Sequence, residues 1–139
     1  MKTESKSKRG RLSRAAGARF ELKVRKNLEE DGWIVSKWMN NFSENKLVAS
    51  KQKYRGPGIP MAIGTGFPDF IAFRNNGKSF DIIGVEVKRN GWLDKEEREK
   101  CRKYLKERIF SKILIARAVK DGKRVNIEYI NFIEKYNKI

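Results

Sequence analysis

Residues 67–88 read FPDFIAFRNNGKSFDIIGVEVK, and their pattern predicts two paired strands within a sheet. Residues 67–73 are mostly apolar, and residues 79–88 return as a second, largely buried strand. The Asn-Asn-Gly sequence at residues 75–77 favours a tight hairpin turn between them. The pattern therefore predicts an antiparallel pair whose outer ends meet.

Charged side chains stand at those outer ends. Asp69 opens the first strand, and Glu86 and Lys88 close the second. Because side chains alternate along a strand, Glu86 and Lys88 point to one face, whereas Val85 and Val87 point to the other. A carboxylate and an amine within an apolar strand are costly unless they are paired or bind an ion. Asp69, Glu86 and Lys88 are therefore predicted to be catalytic.

Two carboxylates at this position predict a metal site. Asp69 and Glu86 offer the hard oxygen ligands that Mg²⁺ prefers, with Mn²⁺ as a substitute. Such an ion lowers the pKa of a bound water and neutralises charge on a reacting phosphate. Lys88 would orient that water, help to deprotonate it, or stabilise the developing negative charge. The sequence leaves these three roles open.

The residues around the hairpin predict a single α/β domain over residues 12–139. Apolar residues recur every four positions from Leu12 onward, which predicts an amphipathic helix closed by Gly32. A second helix has Asp94 as its N-cap. The order α-β-β-β-α-β-β predicts an α+β arrangement with a mixed sheet flanked by helices. The predicted elements are helices at 12–31 and 94–108, and strands at 33–38, 67–73, 79–88, 112–119 and 124–130.

The first predicted helix supplies a third carboxylate. Glu21 follows the apolar residue Phe20, so it lies at the edge of the apolar stripe, one turn after Gly17. From there it could complete a metal shell directly or through water. We therefore predict Glu21 as a further catalytic residue and metal ligand.

The charge balance indicates a polyanionic partner. Lys and Arg total 33 against 17 Asp and Glu, a net charge of +16. We expect nucleic acid rather than anionic lipid, because no long amphipathic membrane helix is evident. The residues predicted to contact DNA phosphates are Lys6, Lys8, Arg9, Arg11 and Arg14 near the N-terminus, and Lys51, Lys53 and Arg55 further along.

Other classes of function are excluded by composition. The 139 residues contain no histidine, which excludes imidazole-dependent hydrolysis and His-ligated zinc. A single cysteine, Cys101, excludes an internal disulfide. No apolar run could cross a bilayer, so we expect a soluble, cytoplasmic protein. We also expect no organic cofactor.

Two segments lack regular apolar periodicity. Residues 1–11 are polar and basic, and we predict a flexible basic arm. Residues 40–66 combine glycine, proline and lysine, and we predict a long, mobile basic loop beside the active site. A short strand around Leu47 and Val48 is an alternative for part of that loop.

The motif Pro68-Asp69 followed by Glu86-Val87-Lys88 resembles that of the PD-(D/E)xK nuclease superfamily. Within it, the chain is similar to archaeal-type Holliday junction resolvases. The similarity is carried by Gly-Ala-Arg-Phe-Glu at residues 17–21, by Gly-Trp-Ile-Val at residues 32–35, and by a basic residue, Arg89, after the motif.

This resemblance implies a restriction-endonuclease-like αβββαββ core and a homodimer that cuts opposite strands of a four-way DNA junction. It implies that Arg89 contacts DNA and that Ser43 is a loose counterpart of a functional serine in the family's loop. The implied metal ligands are Glu21, Asp69, Glu86 and the carbonyl oxygen of Val87, with Lys88 catalytic.

Two alternatives remain at this stage. One is a virus-type replication-repair, RecB-like or restriction-like nuclease acting on flaps, ends or duplex DNA. The other is a non-catalytic DNA-binding module on a nuclease fold.

Three aromatic residues are predicted to stack on bases or to lie in a dimer interface: Trp38, Phe42 and Trp92. One helix face is predicted to be core: Cys101, Tyr104 and Leu105.

Overall fold

The protein is built around a mixed five-stranded sheet. The structure is a computed structural model, which describes residues 6–56, 59–63 and 66–136, and the side chains of residues 8–50 and 66–136. The helices are α1 (Lys6–Glu30), α2 (Lys95–Lys106) and α3 (Phe132–Tyr136). The strands are β1 (Ile34–Lys37), β2 (Asn40–Ser43), β3 (Lys46–Ala49), β4 (Lys51–Gly56), β5 (Ile59–Ile63), β6 (Phe70–Asn75), β7 (Phe80–Val87), β8 (Lys112–Asp121) and β9 (Arg124–Asn131).

The strand order in the main sheet is β1-β6-β7-β8-β9. β7 and β8 run parallel, and the other neighbours are antiparallel. Parallel neighbours need a crossover connection, and α2 lies in that connection. The ends of β1, β7 and β8 and the starts of β6 and β9 therefore meet at one edge of the sheet. The molecule is an α+β protein with a mixed sheet flanked by helices, as the sequence predicts.

Each face of the sheet is covered by helices. On one face, α1 buries Phe20, Val24 and Leu28 against residues of β1, β6 and β7. On the other face, Tyr104 of α2 and Phe132 of α3 belong to a second buried cluster with residues of β8. Ile83 and Val85 of β7 belong to the cluster under α1, so Glu86, the residue after Val85, faces the α2 layer.

The first helix begins earlier than its apolar pattern indicates. α1 starts at Lys6 rather than Leu12, so residues 6–11 of the predicted flexible arm are helical. Lysine and arginine are good helix formers, and this stretch contains no proline to stop the helix. Leu12 itself is exposed, and the buried stripe begins at Phe20. Residues 1–5 lie outside the described residues.

The segment predicted to be a long loop is largely made of strands. β2 pairs with β3, and β4 pairs with β5, in two separate antiparallel hairpins. The short strand considered around Leu47 and Val48 is present as β3. Each of these sheets has only two strands, so Pro60 in β5 can lack an N–H without breaking a central ladder. The high glycine and proline content therefore misled the prediction.

The turns around the central strands follow the prediction. Gly77 has φ +94° in the turn between β6 and β7, and Gly32 has φ +92° after α1. Asp94 is the N-cap of α2. Within the described parts of the chain, no helix carries an apolar stretch of the length that a bilayer crossing requires.

Candidate active site

Asp69 and Glu86 are held together by reciprocal hydrogen bonds at the end of β7. The N–H of Asp69 donates to Glu86 Oε1 at 3.1 Å, and Asp69 Oδ2 accepts from the N–H of Val87 at 2.8 Å. The register pairs Phe70 with Val85, which places Asp69 opposite Glu86. The two carboxylates therefore share one site.

The backbone before β6 positions Asp69. The carbonyl of Asp69 accepts a hydrogen bond from the N–H of Trp38 at 3.1 Å. The preceding residue, Pro68, is fully buried and packs on Gly84 of β7. A Cβ at Gly84 would lie 2.8 Å from Pro68 Cγ and 3.1 Å from the Phe110 ring, which is too close for either neighbour to stay in place. The absence of a side chain at position 84 therefore lets Asp69 approach β7.

Glu86 is a buried carboxyl group, with 5% of its surface exposed. Burial raises the pKa of Glu86 well above its usual value, and the charge and hydrogen bond of Asp69 raise it further. Lys88 lowers the pKa of Glu86, but does not offset these effects. Without a further cation, the site therefore disfavours two ionised carboxylates.

Glu21 extends this acidic site from the α1 side. Its carboxylate lies 3.7 Å from Lys37 Nζ at the end of β1. Partial burial raises the pKa of Glu21, the charge of Asp69 adds to that effect, and Lys37 opposes it. Glu21 is therefore within electrostatic reach of Asp69, while also forming an ion pair that the sequence did not predict.

The donor set can be compared with what a magnesium ion needs. Among the described residues, no three His, Cys, Asp or Glu side chains are grouped closely enough to hold a metal by themselves. Mg²⁺ in proteins commonly takes one or two carboxylates and completes its shell with water and phosphate oxygens. The Asp69–Glu86 pair fits that requirement, because both groups are hard oxygen donors whose mutual repulsion a cation would relieve. The predicted roles of Glu21 and the Val87 carbonyl as ligands stay predictions.

Lys88 points to the same side of β7 as Glu86, and its amine is paired. Its Nζ lies 2.7 Å from Glu97 Oε2 of α2. Burial lowers the pKa of Lys88, but the hydrogen bond and charge of Glu97, together with Glu86 and Asp94, outweigh burial and raise it overall. Lys88 is therefore a stable cation beside the carboxylate pair.

Glu97 is a site residue to which the sequence interpretation gave no role. Its Oε1 accepts a hydrogen bond from the N–H of Asp94 at 3.0 Å, and Asp94 in turn caps the N–H of Glu97 at 2.8 Å. This reciprocal capping box is visible in the sequence as Asp-x-x-Glu. The contact of Glu97 Oε2 with Lys88 is not, because it depends on how α2 packs on the sheet.

The predicted DNA-binding residues are dispersed. Arg9, Arg11 and Arg14 are exposed on α1, and Ser43 is exposed at the end of β2. Arg89 is exposed directly after β7. Lys6 belongs to the first turn of α1, and Lys51, Lys53 and Arg55 belong to β4. The structure describes the backbone of these four residues but not their side chains.

Two of the three aromatic residues predicted to stack on bases or to lie in a dimer interface pack against the buried cluster around Tyr104. Trp38 donates from Nε1 to the Tyr104 hydroxyl at 3.0 Å, and Phe42 packs against the Tyr104 ring at 4.6 Å between centroids. Phe42 is buried, so its prediction as a stacking or interface residue is wrong, whereas Trp38 is half-buried and its role stays a prediction. Trp92 is 64% exposed, and its role in stacking or in a dimer interface stays a prediction. Cys101 and Tyr104 are fully buried, as predicted.

Comparisons with known proteins give no further assignment. No protein-family model, curated protein or solved structure matches this chain. The interpretation of the site therefore rests on its own residues and their geometry.

Proposed function

We propose that this protein is a magnesium-dependent DNA endonuclease of the PD-(D/E)xK type, with a restriction-endonuclease-like core. One observation carries the proposal: Asp69 and the buried Glu86 are cross-bonded between neighbouring strands. The Lys88 amine lies on the same side of β7. Two carboxylates and a lysine at one sheet edge are suited to phosphodiester hydrolysis, and the absence of histidine leaves few other catalytic groups.

Asp69 and Glu86 are the residues that would hold Mg²⁺. The ion, when bound, supplies Lewis acidity toward the phosphate oxygens and toward the attacking water. Glu21 lies near enough to Asp69 to contribute negative charge, and Lys37 limits that contribution. The carboxylates thus fix the place at which the scissile phosphate is held.

Lys88 acts as a cation in this proposal. The amine is paired with a carboxylate, and its pKa is raised in the metal-free protein, which together favour stabilising negative charge on the phosphate or orienting the water over the role of general base. Glu97 holds the amine in place, 2.7 Å away. Of the three roles open from the sequence, deprotonation of water is thus the least supported.

Branched DNA is the proposed substrate, and a homodimer the proposed assembly. The net charge of +16 supports a polyanionic partner. Selectivity for four-way junctions rests on the resemblance of the sequence to junction resolvases, which also implies two active sites facing opposite strands. These finer assignments are separable from nuclease activity by experiment.

The deciding experiment is a cleavage panel with five end-labelled DNAs: a four-way junction, a flap, a nicked duplex, a linear duplex and a single strand. We expect Mg²⁺ or Mn²⁺ to support cutting, preferentially of the junction, and Ca²⁺ or chelator to prevent it. Equal cutting of all five DNAs would remove junction selectivity and keep the nuclease. Undiminished cutting in chelator would overturn the metal mechanism.

Variants link that activity to the site. We expect Asp69→Asn, Glu86→Gln and Lys88→Met each to reduce cleavage by about 10²–10³-fold or more, because the first two remove the carboxylates that would hold the ion and the third removes a positive charge beside the phosphate. Glu99→Gln, on the exposed surface of α2, is the matched control and should cut at the wild-type rate. If the three site variants cut as fast as the control, the activity belongs elsewhere.

A further inference from the structure

A basic groove lies beside α1, on the flank away from the carboxylates. It encloses about 280 Å³. Successive helical residues are rotated by about 100°, so Arg19 and Lys23 share one flank of α1, while Glu21 between them lies on the other. The residues that line the groove are Ala16, Arg19, Phe20, Lys23, Arg89 and Val125.

The buried core fixes the helix side of this groove. Phe20 is 5% exposed and anchors α1 on the sheet. The ammonium of Lys23 donates a hydrogen bond to the carbonyl of Val125, at the start of β9. The Lys23 side chain therefore bridges α1 and the edge of the sheet rather than extending freely into solvent.

Arg89 contributes from the end of the motif strand. Arg89 lies in the turn after β7 and lines the groove together with Arg19 and Lys23 of α1, whereas Lys88 pairs with Glu97 of α2 beside the carboxylate site. The Arg89 carbonyl accepts from the N–H of Ala118 in β8 at 3.1 Å, which fixes its backbone. Two adjacent residues thus direct positive charge to two sides of the same sheet edge.

We propose that Arg19, Lys23 and Arg89 bind a backbone phosphate of the same nucleic-acid strand whose scissile phosphate is held at the carboxylate site. All three charged residues in the lining are cations, and none of the described lining residues is acidic. Guanidinium groups bind phosphate oxygens with paired hydrogen bonds, and an ammonium adds a point charge. The groove has the charge that a phosphodiester requires.

This inference rests on the proposed nuclease function, because it takes the ligand to be a strand that also reaches Asp69 and Glu86. Arg89 and Lys88 are chain neighbours, so a strand crossing the end of β7 meets both sides of the edge. The groove then fixes the register of the strand, and the carboxylates define which bond is cut.

The test compares two double variants that each remove two positive charges. Arg19→Gln/Lys23→Gln alters the groove. Lys78→Gln/Lys106→Gln is the control, since both lysines are exposed and lie toward the opposite edge of the sheet. Binding of a fluorescent four-way junction is measured in chelator over a range of salt concentrations. Melting temperatures establish that both variants fold.

We expect the groove variant to reduce the slope of log affinity against log salt by about one unit, as for the loss of one phosphate contact. The control should leave the slope close to that of the wild type. If both variants reduce the slope equally, the salt dependence reports only the net charge of the protein, and the proposed phosphate contact in the groove is wrong.

Neutral linkages locate the contact. Junctions that carry one methylphosphonate at successive positions should weaken binding of the wild type at one position near the cut site, and leave the groove variant unaffected there. If wild type and variant respond alike at every position, the inference is wrong. If inorganic phosphate alone raises the wild-type melting temperature more than DNA does, and the variant loses this, the groove binds free phosphate and the nucleic-acid assignment is overturned.

The two proposals can fail separately. A groove variant with reduced salt slope, in a protein that cuts no DNA in any metal, would keep the phosphate groove and overturn the nuclease. Unchanged binding by the groove variant, with cleavage that depends on metal and on Glu86, would keep the nuclease and overturn the groove.

Discussion

Lys88 Nζ lies 2.7 Å from Glu97 Oε2, so the lysine of the motif strand is held by a carboxylate of the facing helix. The other oxygen of that carboxylate accepts the N–H of Asp94, the residue that caps α2. The start of α2 and the position of the lysine are therefore set by one side chain. In the proposed nuclease, Glu97 would act through Lys88 as a positioning residue.

Glu97→Gln should reduce cleavage by about 10–100-fold, the usual cost of losing a residue that orients a site group. DNA binding should change little. The pKa of Lys88, followed by NMR of labelled lysine, should fall, because Glu97 is the largest influence that raises it. Glu96→Gln is the control, since its carboxylate pairs with Lys100 instead. A lowered Lys88 pKa with an unchanged cleavage rate would contradict the positioning role.

The stability of the metal-free protein should depend on Glu86. Its pKa is raised in the folded state, so the folded protein binds this proton more tightly than the unfolded chain does. Its unfavourable contribution is therefore complete at pH values above the folded pKa, and is relieved as pH falls toward the ordinary glutamate range. Glu86→Gln should melt higher than wild type at neutral pH in chelator.

Magnesium should reverse that order. Since the proposed Mg²⁺ site is formed only in the folded protein, the ion should raise the melting temperature of the wild type and leave that of Glu86→Gln almost unchanged. Calorimetry with and without the ion measures both. A lower melting temperature for Glu86→Gln in chelator would show that the ionised carboxylate stabilises the fold.

Gly84→Ala should damage both stability and activity. The added Cβ would lie 2.8 Å from Pro68, so we expect a loss of about 1–3 kcal/mol in the free energy of unfolding. Cleavage should fall further than binding, since Asp69 follows Pro68. Gly17→Ala meets nothing within 4 Å in the middle of α1, and should gain about 0.5–1 kcal/mol. Denaturant unfolding distinguishes the two, and equal stability would refute the close packing.

Trp92→Ala should weaken binding of DNA with unpaired bases. The indole is 64% exposed, and Lys135 Nζ lies 3.9 Å from its ring centroid, so an aromatic surface and a cation are presented together. Loss of one stacked base costs about 1–3 kcal/mol. Phe80→Ala removes an equally exposed aromatic at the opposite edge of the sheet, and serves as control. Similar losses in both variants would argue against a stacking role.

Local patterns were sufficient for the central strands. The Asn-Asn-Gly turn, the alternation in residues 79–88 and the Asp94 cap depend on near neighbours in the chain, and all three are present in the structure. The sequence predicted only that Asp69 could approach Glu86; the observed register, with Asn75 opposite Phe80, is what places the two carboxylates opposite each other. The segment at residues 40–66 was predicted wrongly, because its pairing is not evident from glycine and proline content.

The amino-acid order thus fixed the charge, the lack of imidazole chemistry, and the carboxylate pair within one hairpin. The packing of helices on the sheet decided the rest: the Glu97 contact to Lys88, the Lys37 contact to Glu21, and the contact of Trp38 with Tyr104. The physical reason is that these contacts join residues that are distant along the chain. Such contacts depend on where each helix lies on the sheet, and that position is set by the buried side chains of the helices and of the sheet together.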